Sequence, residues 1–363
     1  MKRKVFVSSC SVKAPGISDI EKLQTALIDP GFDPSLLEVM LNKDLSGYFG
    51  SLDLDTTSSY YPDRQDIKIM RNDVVASTIC VSELLENTGI REEDLSNIPL
   101  FIANGIVIEK LFDKNDKVSR LFFEAILLDS TKKKLEKLYK IIPPLLALQT
   151  LTNATESYVA QYSGIAGNNT TFGNTSISAY YALLEGFRNV ESGKSNLAVI
   201  GASNSSGEYS NLTFRQFTSN YSGWRESACS VFLLLESSES LKRHQKKALC
   251  EIVQLKSSNH IPELLEISTR KPFESLISEI SGDLAVFSGG FTENDYELEK
   301  KEVKAKSKKS YSWFPKLGNL GAGAILMNII TAICLLKNNS VTLADCLDRD
   351  PYSRESLVKI RVC

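Results

Sequence analysis

The sequence predicts an α/β fold, and three observations carry the prediction. Asn196-Leu-Ala-Val-Ile-Gly-Ala202 and Ala228 to Leu235 (ACSVFLLL) are continuous apolar runs of the kind a strand buried on both faces requires. These runs alternate along the chain with stretches of helical length and apolar spacing, the pattern of sheets covered by helices. The composition is that of an ordinary globular chain: 363 residues, 42% hydrophobic, 24% charged, formal net charge −2.

The elements follow in order. Lys4-Val-Phe-Val-Ser8 is β-rich and leads to a Pro-Gly turn, after which Ile20, Leu23, Ala26 and Leu27 give a helix within Ile17 to Ile28. Gly31 to Asp63 is polar and turn-rich and reads as loop. Ile67 to Leu85 reads as a long helix with nearly all-round burial, and Pro99 to Ala103 as a short strand entering Asn104-Gly105. A helix from about Ser176 to Ser192 closes at Gly193 before the strand at Asn196. The charged helix Ser240 to Ala248 then precedes strands at Cys250 to Leu255, Leu284 to Phe287 and Ser356 to Val362, with helices near Pro272 to Ile280 and Gly323 to Leu336. The later elements repeat the earlier alternation in shorter form, which points to an internal duplication. Lys300 to Lys309 (KKEVKAKSKK) carries six lysines and reads as a solvated loop, or else as a docking surface for an acidic partner.

Composition also excludes function classes. Lys+Arg 42 against Asp+Glu 44 leaves no basic excess for nucleic acid. Seven widely spaced cysteines with no C-x-x-C pair, and only two histidines, argue against a zinc site and for reduced thiols in a cytoplasm. MKRKVFVSSC is not a secretory signal, and the apolar stretch Ala322 to Leu336 is too short to span a bilayer and reads as a buried helix. His244 belongs to a Lys-Arg-His-Gln-Lys-Lys run that reads as an exposed helix surface, and His260 reads as a loop residue. Gly105, Gly201, Gly289 and Gly321 read as backbone requirements of tight turns, since no phosphate-binding glycine pattern is present. The division expected is residues 1–245 and 246–363, the second half being the shorter.

Tyr158-Val-Ala-Gln-Tyr-Ser-Gly164-Ile-Ala-Gly167, Gly173-Asn-Thr-Ser176-Ile-Ser-Ala-Tyr and Glu191-Ser-Gly193-Lys-Ser-Asn-Leu-Ala-Val-Ile-Gly201 together resemble the centre of the β-ketoacyl synthases. The similarity runs outward through Lys4 to Gly16, Lys68 to Gly105, Glu226-Ser227-Ala228 and Gly318-Asn319-Leu-Gly321-Ala-Gly, over nearly the whole chain. It implies the thiolase fold: two related α/β halves in a five-layered αβαβα arrangement. A ketosynthase uses a cysteine thiolate at a helix N-terminus, where the dipole favours the anion, and two histidines that stabilise the enolate of decarboxylation. On this resemblance Ser176 stands at the cysteine position, Ser288 at the first histidine, and Asn319 or Gly318 at the second. The family's Gly-Phe-Gly-Gly gating loop has no counterpart between Leu343 and Leu357.

That pattern resembles the chain-length factors of bacterial type II polyketide synthases. The resemblance implies a subunit with no catalytic residue of its own and no cofactor, heterodimeric with an active ketosynthase and acting on a polyketide held by the phosphopantetheine of an acyl carrier protein. It also carries over three positions on the wall of the interface chamber, Leu128, Thr131 and Leu135, whose spacing puts them on one helical face. Two other readings remain at this point: an acyltransferase, hydrolase or malonyl decarboxylase using Ser176, and a purely structural ketosynthase partner of an aryl-polyene-type pathway. A serine hydrolase is disfavoured because Asn-Thr-Ser176-Ile-Ser is not a Gly-x-Ser-x-Gly elbow.

Overall fold

The computed structural model describes residues 2–34, 36–42, 45–86, 88–105, 151–173, 175–205, 224–259, 276–281, 283–337, 342–350 and 354–363. The strands are β1 (Val5–Lys13), β2 (Leu37–Asn42), β3 (Leu45–Gly50), β4 (Leu100–Asn104), β5 (Asn169–Gly173), β6 (Leu197–Asn204), β7 (Trp224–Ser227), β8 (Cys229–Ser237), β9 (Cys250–Asn259), β10 (Leu284–Phe287), β11 (Lys309–Tyr311), β12 (Leu343–Arg349) and β13 (Arg354–Val362). The longer helices are α1 (Ile20–Ile28), α2 (Asn72–Glu86), α3 (Ala154–Ser163), α4 (Ile177–Ser192), α5 (Ser238–His244), α6 (Glu293–Lys306) and α7 (Ala324–Lys337).

Ten strands run in the order β11-β10-β12-β13-β9-β1-β8-β6-β4-β5, and the pattern contains itself twice. Around β4, the neighbours β5 and β6 are parallel, and β6, β8 and β1 then alternate antiparallel. Around β10, the neighbours β11 and β12 are parallel, and β12, β13 and β9 alternate antiparallel. Among the described strands, the two five-stranded units pair with each other at Phe6 opposite Glu251 and Val7 opposite Cys250.

Alternation of side chains across each strand builds the layers. In β4, Phe101 and Ala103 enter the largest core cluster, with α4 and α7, while Leu100 and Ile102 face the opposite way, onto α2 and α3. In β10, Leu284 and Val286 enter the same central core, while Ala285 and Phe287 pack outward on Val303 of α6. The order is therefore α2 and α3, first five strands, α4 and α7, second five strands, α6, which is the thiolase-type sandwich. Helix α7 sits at the centre with twelve of its fourteen residues buried. Each large apolar side chain removed from water there contributes roughly 1.5–3 kcal/mol. Gly201 lies mid-strand rather than in a turn, where a Cβ would come within 2.0 Å of the Phe232 ring.

Several expectations need correcting. Within the stretch read as loop, β2 and β3 form an antiparallel pair extended by β7 into a separate small sheet. Lys300 to Lys309 is not a loop: it spans the last turns of α6, then Ser307, and enters β11. Thr292 and Asp295 start α6 with a reciprocal capping box, and Lys304 and Lys306 sit at its C-terminal end, where the dipole favours cations. Near Pro272 to Ile280, the described residues hold only a 3₁₀ turn, Ile277–Glu279. No helix of the described residues is long and apolar enough to cross a membrane. All seven cysteines are free.

Candidate functional site

The candidate site lies where α4 begins. Ser176 occupies the N-cap position, but its hydroxyl caps nothing, and the residue is buried. Its Oγ has no hydrogen-bond partner among the described residues. The preceding residue is fixed from the turn after β12. Thr175 Oγ1 donates to Asp350 Oδ2 at 2.9 Å and accepts from Arg354 Nη2 at 2.6 Å, while the Arg354 amide donates to Asp350 Oδ1 at 2.9 Å. This buried charge-assisted lattice ties the start of α4 to the β12–β13 connection.

Beside Ser176 stands Asp348, near the end of β12, fully enclosed. Burial pushes its pKa up from 3.8 to about 6. The nearby hydroxyls of Ser176 and Ser288 act against that rise, Asp350 adds to it, and the Arg349 N–H opposes it. None of these neighbours completes a hydrogen bond of good geometry, and both Asp348 oxygens are without a partner among the described residues. Ser288 follows β10 directly. Its amide donates to Leu347 O at 3.2 Å, and its Oγ accepts from the Arg349 amide at 3.4 Å.

Asn319 precedes α7 and is saturated. Its Nδ2 donates to Gly290 O at 2.7 Å, its Oδ1 accepts from the Gly321 amide at 2.7 Å, and its own amide and carbonyl bond Arg225 O and the Ser227 amide, each at 2.9 Å. Gly318 just before it has φ +72°, and a Cβ there would come within 2.6 Å of the Arg225 carbonyl carbon, so this position is set by the backbone. A second buried carboxylate, Glu226, accepts from Asn204 Nδ2 at 3.2 Å and Trp224 Nε1 at 3.1 Å, with Trp224 stacked on Phe291 at 4.4 Å between centroids.

The structure thus gathers Ser176 and Ser288 around one carboxylate and places Asn319 two residues of backbone away, against Gly290. Leu128, Thr131, Leu135 and His260 lie outside the described residues. His244 does not sit on an exposed surface: its Nδ1 lies 3.0 Å from Oε1 of the fully buried Glu236, which also accepts from Ser240 Oγ at 2.7 Å. Asp348 and Glu236 escaped the sequence reading. The available signal was a charge inside an otherwise apolar run, in Leu343-Ala-Asp-Cys-Leu-Asp348 and in Val231-Phe-Leu-Leu-Leu-Glu236.

Chemically, the cluster offers a hydroxyl at a helix N-terminus, where an anion is favoured, next to a carboxylate that is mostly ionised at neutral pH. That negative charge opposes the oxyanion or enolate an acyl-transfer step develops, the reverse of a preorganised oxyanion hole.

No family model and no curated protein matches the chain. Solved structures do match in fold over the full length of both chains. One belongs to the AntDE:AntF assembly, described as a type II PKS acyl-carrier protein in complex with its ketosynthase bound to the hexaketide, at 13% identity and a TM-score of 0.74. Another is a β-ketoacyl synthase from Burkholderia phymatum STM815, at 13% identity and a TM-score of 0.77. The chain has the fold of the β-ketoacyl synthases, with a serine and a buried aspartate at the start of its central helix.

Proposed function

We propose that this chain is a ketosynthase-fold subunit without condensing chemistry of its own, a chain-length factor that heterodimerises with an active ketosynthase. The partner supplies the thiolate and the two imidazoles, and this chain shapes the chamber that receives a poly-β-ketoacyl chain from an acyl carrier protein. Leu128, Thr131 and Leu135 line that chamber, and the fold divides between residues 1–245 and 246–363. One observation carries the reading: the hydroxyl at the nucleophile position faces Asp348, a carboxylate, where the chemistry would need a group that stabilises negative charge. The saturated hydrogen bonding of Asn319 supports it, because that side chain is committed to backbone.

The test is co-expression with an active type II ketosynthase and its acyl carrier protein. The two chains are expected to co-purify, and Thr131→Trp or Leu135→Trp is expected to shorten the product by filling chamber volume. Unchanged product lengths from stable, partner-bound variants discard the chamber assignment. Co-purification without any effect on length supports instead a structural partner of an aryl-polyene-type pathway.

A further inference from the structure

A second feature lies just beyond the C-terminal end of α4, about 24 Å from Ser176 at 1.5 Å per residue. A cleft of about 470 Å³ opens between the turns that lead into β4 and β6 and the face of α5. That volume is in the range of small-molecule sites. Ile98 and Leu197, both buried, give it an apolar wall, and Arg91, Lys194, Arg243 and His244 line it with cationic or protonatable groups.

The charges there are unequally committed. Arg91 is engaged by Asp94, at 3.1 Å, and by Glu93. Asp94 is the one carboxylate among the described lining residues, so three cations against one anion leave 3 − 1 = +2 before His244 is counted. Lys194 and Arg243 have no hydrogen-bond or ion-pair partner among the described residues. His244 is held from behind: Glu236 engages its Nδ1, which leaves Nε2 as the ring's open nitrogen. Burying Glu236 completely within β8 is costly without a partner, and that cost is offset by orienting one imidazole and one serine of α5.

We propose that this cleft binds a phosphate group carried by a small organic molecule, with Lys194, Arg243 and His244 Nε2 as the anion ligands and the Ile98–Leu197 wall taking the organic part. The unpaired cations supply charge-assisted bonds, the apolar wall selects an organophosphate over the bare ion, and Glu236 preorients the imidazole. The site is independent of the reading of Ser176 and of any ketosynthase partner.

Isothermal titration calorimetry on the purified full chain tests it, with phenyl phosphate, inorganic phosphate and phenol as probes. Phenyl phosphate is expected to bind saturably with one site per chain, inorganic phosphate more weakly, and phenol not at all. The exposed pair Lys194→Ala with Arg243→Ala is expected to weaken phenyl phosphate by roughly tenfold or more with an unchanged melting temperature. His244→Ala is expected to weaken it less. Phenol binding as tightly as phenyl phosphate, no saturable binding of phenyl phosphate, or an affinity unchanged in the double variant overturns the proposal.

Discussion

The two central helices begin at corresponding places in the two halves of the sheet, yet their starts are built in opposite ways. At the start of α7, Asn319 has every polar group matched and the backbone around it is held by Gly318 in a left-handed conformation. At the start of α4, Ser176 Oγ and both oxygens of Asp348 are buried without partners among the described residues. Buried polar groups are normally satisfied, so the first arrangement is an ordinary structural solution and the second is a stability cost. The difference teaches that one helix start is a closed hydrogen-bonded scaffold, while the other keeps buried polar groups without partners among the described residues.

The largest effect should come from the saturated side. Asn319→Ala leaves Gly290 O and the Gly321 amide buried without their partner, and is expected to cost roughly 3 kcal/mol in urea unfolding, since each unsatisfied buried group costs about 1–3 kcal/mol. A loss well under 1 kcal/mol would break the contrast between the two helix starts.

Next is Asp348, with the opposite sign. Its folded pKa of about 6 lies above the ordinary 3.8, so the folded state holds this proton more tightly than the unfolded chain. The stability it contributes is present at acid pH and is lost as pH rises through 6; at neutral pH the ionised form is a net penalty. Asp348→Asn is therefore expected to stabilise the protein by roughly 1–2 kcal/mol at pH 7.5 and by little at pH 4, the amide keeping part of the desolvation cost. Chemical denaturation across that range checks it, and a stabilisation that is constant with pH would contradict the assigned titration.

The smallest effect belongs to Ser176. Removing an unpartnered buried hydroxyl by Ser176→Ala should change stability by no more than about 0.5 kcal/mol. Ser176→Cys should give no condensing activity, because the Asp348 carboxylate still faces the position and neither Ser288 nor Asn319 offers an imidazole. Product formation by the Ser176→Cys chain alone would show that a missing thiol was the only defect.

The strands buried on both faces were legible because continuous apolar runs such as Leu197 to Ala202 have few other interpretations. The hairpin of β2 and β3 was not, since a small peripheral sheet imposes no such run on its sequence. Helix α6 was hidden by its lysines: only Glu299 and Val303 are buried, and its start is fixed by the Thr292–Asp295 capping box rather than by an apolar stripe. The positions of Ser176, Ser288 and Asn319 came from resemblance, and the structure brings the first two to a common neighbour. That neighbour could not be foreseen, because Asp348 meets Ser288 only through the pairing of β10 with β12 and meets Ser176 only through the packing of α4 on both halves. Local propensity carries no record of such long-range placement.

The central claim, that chemistry belongs to a partner, is most directly tested by intact-protein mass spectrometry of the purified chain after incubation with malonyl- and acyl-carrier protein. The account predicts an unmodified chain and an unchanged malonyl group. An acyl adduct on Ser176 that disappears in Ser176→Ala would contradict it.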